Sequence, residues 1–239
     1  HIKKHLSKDI ELKDITDDLC VFGLFGPKSR DLIKTISKDK FDNDDFKFGT
    51  AKYITIEGVK IWAQRLSYVG ELGYELYVEF KDAKKIYELL INKGKDFNLS
   101  NCGMHAMDIM RMESGFLHWG HDISPEENQY QAGLSFTISN KKDVDFIGKQ
   151  ALEKIKQDKV KTRFSMFTLK ESEPGKPLLL HDEPIYIDDK IIGRSTSGNY
   201  SFNFKKNLVF GYINNNFSNE ELQNKSLFIE VEKKKYPIE

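Results

Sequence analysis

Residues Asn101–Ile123 read NCGMHAMDIMRMESGFLHWGHDI. Met104, Met107 and Met110 recur every three residues, a spacing that puts them on one side of a helix, and Gly115 marks its end. The pattern predicts a helix from about Gly103 to Ser114 with a methionine stripe packed in the core. Asp108 and Arg111, three apart, can pair on one face while Glu113 points elsewhere. Beyond the helix, His118 and His121 flank Trp119 and Gly120 and invite a metal reading. Gly115 and Gly120 interrupt any helix that would align the two imidazoles, and no further ligands accompany them, so no metal site is expected. Trp119 either walls a ligand pocket or fills the core.

Outward from this stretch the chain changes character about two-thirds of the way along. Pro27 opens an amphipathic run with Leu32, Ile33 and Ile36 on one stripe, a helix. Asp82 can cap a second helix whose Ala83, Ile86, Tyr87 and Leu90 face inward and which Gly94 ends. A fourth is expected from Ile147 to about Lys156. Between them, Lys60 to Leu66 and Tyr74 to Phe80 alternate as strands do. Helices interleaved with strands in this way predict an α+β layer. After Val160 come short runs bounded by Gly, Pro, Asn and Asp: Phe164 to Leu169, Pro184 to Ile187, Lys190 to Thr196, Leu208 to Ile213 and Leu227 to Val231. These predict a small β-barrel or sandwich, with domains at 1–158 and 159–239. Lys141-Lys142 and Lys233-Lys234-Lys235 read as solvated patches.

Composition excludes several classes. Thirty-seven Lys and Arg balance thirty-seven Asp and Glu, so no global field draws the chain to nucleic acid or an anionic membrane. Cys20 and Cys102 sit in no metal or disulfide spacing, which fits a reducing, cytoplasmic or matrix location. No apolar run reaches the roughly eighteen residues of a membrane span. There is no Gly-x-Ser-x-Gly elbow, and Gly193 to Gly198 lacks a P-loop lysine.

The strand Tyr74 to Phe80 is the most chemically legible element. Alternation puts Glu75, Tyr77 and Glu79 on one face and Tyr74, Leu76, Val78 and Phe80 on the other. The apolar set is core. The other set is either a site or a solvated face, and charged strand residues are usually the latter. Gly70 and Gly73 beside it permit a tight turn and close approach by a ligand.

Six blocks occur in order: Phe25-Gly26-Pro27-Lys28-Ser29-Arg30, Ser67 to Tyr77, the quoted segment with Ala132-Gly133-Leu134, Asp145-Phe146-Ile147-Gly148, Thr196-Ser197-Gly198, and Phe210-Gly211-Tyr212. Together they resemble the glycine cleavage T-protein (aminomethyltransferase) family, in the branch fused to dimethylglycine and sarcosine dehydrogenases. The resemblance runs from about Asp14 to the end. It implies an α+β folate-binding part followed by a C-terminal β-barrel, and folate-dependent one-carbon transfer giving 5,10-methylenetetrahydrofolate. A pterin presents an N–H and an amino group side by side, which one carboxylate can accept together. By resemblance Glu75 is that anchor, with Tyr77 two residues on and Tyr68 seven before it. Arg111 and Trp119 complete the implied folate site. The glycine-cleavage members have an Arg where this chain has Met107, which favours the dehydrogenase branch.

The aspartate that the family credits with the chemistry belongs upstream of His1, so no catalytic residue is assigned and the chain reads as a fragment. The implied ligands are tetrahydrofolate and a methylated-amine or aminomethyl donor, with FAD expected only on an upstream domain. A folate-binding or regulatory protein without transfer activity is the alternative. The sequence is silent on oligomeric state.

Overall fold

A computed structural model describes residues 1–139, 145–158 and 160–239; Lys141-Lys142 lies outside them. The chain forms two compact units, His1–Gly103 and Met104–Glu239. This division differs from the composition boundary at 158/159, because the segment from Met104 to Ile123 packs with the C-terminal strands.

The first unit contains β1 (Leu19–Phe25), α1 (Ser29–Ile36), β2 (Ala51–Ile56), β3 (Val59–Gln64), β4 (Gly73–Glu79) and α2 (Phe80–Gly94). The four strands make an antiparallel sheet in the order β1-β4-β3-β2. Glu57 and Gly58, both at positive φ, turn the β2–β3 hairpin. Tyr74, Leu76 and Val78 are fully buried and pack against Leu32, Ile33 and Ile36 of α1 and Ile86 and Leu90 of α2. The expected inward set needs two corrections. Phe80 leaves the strand to open α2 and is 73% exposed, and Tyr87 is 39% exposed, so α2 buries a narrower stripe than its composition suggests.

The sequence reading missed β1 and β2. The burial of β1 is uneven while that of β2 alternates, and both are completed by ladders with β4 and β3, Leu19 to Phe25 against Glu79 to Gly73 and Ala51 to Ile56 against Gln64 to Val59.

The second unit contains α3 (Met104–Glu113), α4 (Lys149–Asp158), β5 (Thr162–Thr168), β6 (Pro184–Ile187), β7 (Lys190–Ser201), β8 (Lys206–Asn214), α5 (Asn219–Gln223), β9 (Leu227–Val231) and β10 (Lys234–Ile238). The sheet runs β10-β9-β6-β7-β8-β5, and its two edges meet. Thr168 and Glu239 exchange backbone hydrogen bonds of 2.8 and 2.9 Å, and Leu169 bridges Ile238. A sheet so joined is a barrel, which removes most of its exposed edge. Its interior holds Phe167, Ile185, Val209, Ile213 and Ile229. The fold is α+β with a small C-terminal barrel.

On the outer surface of β7 and β8 lies α3, with Ile109 and Met112 against Leu208 and Phe210. The methionine stripe is corrected here: Met104 is 65% exposed, and the buried positions are Ile109, Arg111 and Met112. Thr196-Ser197-Gly198 lies at a bulge of β7, which runs on to Ser201 past the expected end at Thr196. Glu232 and Lys233, both at positive φ, turn the β9–β10 hairpin, a strand pair hidden by its lysines.

Candidate folate site

In the first unit β4 lies between β1 and β3, so Glu75 faces Gly23 on one side and Gln64 on the other. Both helices occupy the opposite face. Glu75 and Tyr77 are half-buried, and the Tyr77 hydroxyl donates to Glu75 Oε2 at 2.8 Å. That bond, then burial and the neighbouring carboxylate charge, pushes the Tyr77 phenol above the usual tyrosine range. Among the described residues Glu75 Oε1 accepts no hydrogen bond, and a carboxylate has about four acceptor sites. It keeps capacity for a paired donor.

An aromatic wall stands beside it. A Cβ on Gly23 would lie 2.6 Å from the Phe25 ring, and one on Gly73 would lie 2.3 Å from it. Two glycines on adjacent strands therefore let Phe25 lie flat next to Glu75. Trp62 is opposite Tyr77 on β3. Phe25, Trp62 and Gln64 were not assigned to the site from the sequence. Phe25 lay within a quoted block, but only the β1–β4 register brings it to Glu75.

The same register explains two of the blocks. Gly26 N–H and Ser29 Oγ–H both donate to the carbonyl of Leu72, at 2.8 and 3.1 Å. The turn before α1 is thereby tied to the loop entering β4. Tyr68 lies half-buried in that loop, and Glu71 is an exposed turn residue.

In the second unit Arg111 is 1% exposed and fully engaged. Its Nε and Nη2 donate to Asp108 Oδ1 at 2.8 and 2.7 Å, Nη1 donates to the Phe116 carbonyl at 3.0 Å, and Nη2 to Ser197 Oγ at 2.8 Å. Nη1 also pairs with Asp122 Oδ2. Asp122 is equally buried and accepts from Thr196 Oγ1 at 2.6 Å, Ser197 Oγ at 2.8 Å and His118 N–H at 2.9 Å. Phe210 lies beneath the guanidinium, 5.3 Å from its carbon. Arg111 thus spends its donors inside the unit, where it holds α3, the following loop and β7 together.

Glu113 points away from Arg111, as its position in the helix requires, and accepts from Ser201 Oγ at 2.5 Å and Asn203 at 2.6 Å. Trp119 is 65% exposed, so it does not fill the core. His118 and His121 stack with ring centroids 4.5 Å apart. Among the described residues no three His, Cys, Asp or Glu side chains group as metal ligands. The structure therefore brings Glu75 and Tyr77 into contact and gathers Arg111 with Asp108, Asp122 and Ser197; the partner Asp122, eleven residues from Arg111, was not foreseen.

Comparison with known proteins also gives two parts, divided later in the chain than the two compact units. The family description "GCVT N-terminal domain" matches residues 1–142 and "Glycine cleavage T-protein C-terminal barrel domain" matches residues 163–239. The chain belongs to the glycine cleavage T-protein family. Human mitochondrial dimethylglycine dehydrogenase is 36% identical over 205 residues, covering 86% of this chain and 23% of the relative. Human mitochondrial sarcosine dehydrogenase is 31% identical, covering 85% of this chain and 22% of the relative. An aminomethyltransferase of Symbiobacterium thermophilum is 30% identical, covering 86% and 54%. This T-protein chain thus spans under a quarter of those dehydrogenases and about half of that aminomethyltransferase. The solved aminomethyltransferase T of the Bartonella henselae glycine cleavage system shares the fold at a TM-score of 0.76 and 19% identity, covering 92% of this chain and 57% of the other.

Proposed function

We propose that this T-protein chain binds tetrahydrofolate on the open face of β4 and serves one-carbon transfer as the folate module of a dimethylglycine or sarcosine dehydrogenase-type enzyme. The observation that carries this reading is the Glu75–Tyr77 pair beside Phe25. A carboxylate oriented by a phenol, with acceptor sites to spare, suits the adjacent amino and N–H groups of a pterin, and the flat Phe25 ring suits its plane.

Glu75 is the anchor and Tyr77 its orienting residue. Tyr68, in the loop entering β4, is a further folate contact in this reading, whereas Arg111 acts by holding its own unit in shape. Tetrahydrofolate would supply the acceptor nitrogens of the transfer. The chain would hold them in place and exclude water, which gains effective concentration. No residue here is assigned as the acid or base. The donor would be a methylated amine or an aminomethyl group, and FAD would belong to another part of a longer polypeptide.

Tetrahydrofolate titration by calorimetry tests the reading. Glu75→Gln should weaken binding by about 30-fold or more, roughly 2 kcal/mol, because a charged acceptor is lost from a paired donor. Unchanged affinity in a folded variant would remove Glu75 as the anchor and the reading with it.

A further inference from the structure

The start of β5 turns polar side chains towards the barrel interior. Residues Arg163, Ser165 and Phe167 of β5 stand opposite Ile213, Gly211 and Val209 of β8. Directly opposed residues share a face, and Ile213, Val209 and Phe167 belong to the barrel interior. Arg163 and Ser165 therefore point inward on the same face as Phe167. Gly211 contributes no side chain opposite Ser165. The seam between β5 and β10 is joined at Thr168–Glu239 and Leu169–Ile238. Towards the start of β5 it opens into a cavity of about 620 Å³ flanked by Leu222 of α5, Leu227 of β9 and Ile238 of β10.

The cation in this cavity is under-used. Of five guanidinium N–H groups, Arg163 commits Nη2 to the Phe217 carbonyl at 3.1 Å, and among the described residues its buried Nε has no hydrogen-bond partner. A buried donor without an acceptor is costly unless something supplies one. Lys170 and Lys225 stand at the rim, the latter 3.4 Å from Asp188. The carboxylate at the rim, Glu239, is taken up by Lys206. The volume lies in the range of small-molecule sites, and the lining mixes polar groups with Phe167, Leu222, Leu227 and Ile238.

We propose that this end of the barrel binds a small monocarboxylate with an apolar body. The head group pairs with the Arg163 guanidinium beside Ser165, and the hydrocarbon lies against Phe167, Leu222, Leu227 and Ile238. A planar fork of donors matches a carboxylate better than a tetrahedral anion when only one cation faces inward. The site lies wholly in the second unit and stands whether or not Glu75 holds a folate.

Octanoate titrated into the complete 239-residue chain, followed by methyl NMR, is the test. The Leu222, Leu227 and Ile238 methyl signals should shift saturably, while Ile61 and Leu76 of the first unit stay in place. Arg163→Gln should weaken octanoate at least tenfold, and 1-octanol, with the same body and no charge, should bind at least tenfold more weakly than octanoate. Ser165→Leu, which fills the cavity without touching Arg163, should abolish the shifts in a protein that keeps its barrel methyl dispersion. Shifts that do not saturate, equal affinity for octanol, or octanoate binding that survives Ser165→Leu would overturn the proposal.

Discussion

Glu75 and Arg111 are both charged residues inside sequence blocks, and the structure treats them in opposite ways. Glu75 stands half-buried on the strand face away from the helices with one hydrogen bond from Tyr77. Arg111 is 1% exposed and bonded through every nitrogen to Asp108, Asp122, Ser197 and the Phe116 carbonyl. A charge with spare capacity at a surface can address a ligand. A charge whose capacity is consumed internally fixes a conformation, and removing one side of such a pair exposes the desolvation cost of the other. The two residues should therefore fail differently when mutated, one in binding and the other in stability.

The largest effect is expected at the buried pair. Asp122→Ala strands the Arg111 guanidinium and the Thr196 and Ser197 hydroxyls, and should cost about 3–5 kcal/mol of unfolding free energy in chemical denaturation. A loss below about 1 kcal/mol would break the comparison, because Arg111 would then be no more structural than Glu75. Glu75→Gln comes next: the roughly 30-fold loss of tetrahydrofolate affinity should occur with stability unchanged within about 0.5 kcal/mol, since surface substitutions seldom exceed that.

Tyr77→Phe sharpens the contrast further. It removes one hydrogen bond to Glu75 and should weaken tetrahydrofolate by about 1 kcal/mol. It also carries a pH signature. The folded phenol titrates above its unfolded value, so its contribution to stability is complete below the ordinary tyrosine range and is lost as pH rises through the folded value. Unfolding measured between neutral and strongly alkaline pH should show that decline in the parent and a shallower one in Tyr77→Phe.

The smallest effect is expected at Tyr212. Its hydroxyl is buried without a hydrogen-bond partner among the described residues, and burial, then the charges of Glu127 and Asp122, pushes the phenol far above its usual range. Tyr212→Phe should be neutral or stabilising by up to about 1 kcal/mol, because an unpaired polar group is lost and the ring remains. A clear destabilisation in thermal unfolding would mean that the hydroxyl has a partner.

What the amino-acid order determined by itself was local. Period-two alternation in Tyr74 to Val78 set the core and open faces of β4, and Pro27 with Leu32, Ile33 and Ile36 set α1. The short turn-bounded runs after Val160 were enough for a small barrel or sandwich, and the motif blocks were enough for the family and with it the barrel. Local patterning failed where a neighbouring strand or helix imposes the structure. The uneven burial of β1 becomes a strand through its ladder with β4, and Lys234–Ile238 becomes one through β9.

Tertiary structure alone decided which residues meet. Phe25 reaches Glu75 through the β1–β4 register, Asp122 reaches Arg111 because the Gly115 and Gly120 turns fold the loop back, and Thr168 reaches Glu239 because the sheet curls until its edges join. Periodicity encodes the direction a side chain takes from its own backbone. It does not encode the partner, which depends on pairings between residues tens of positions apart that are settled only when the core closes.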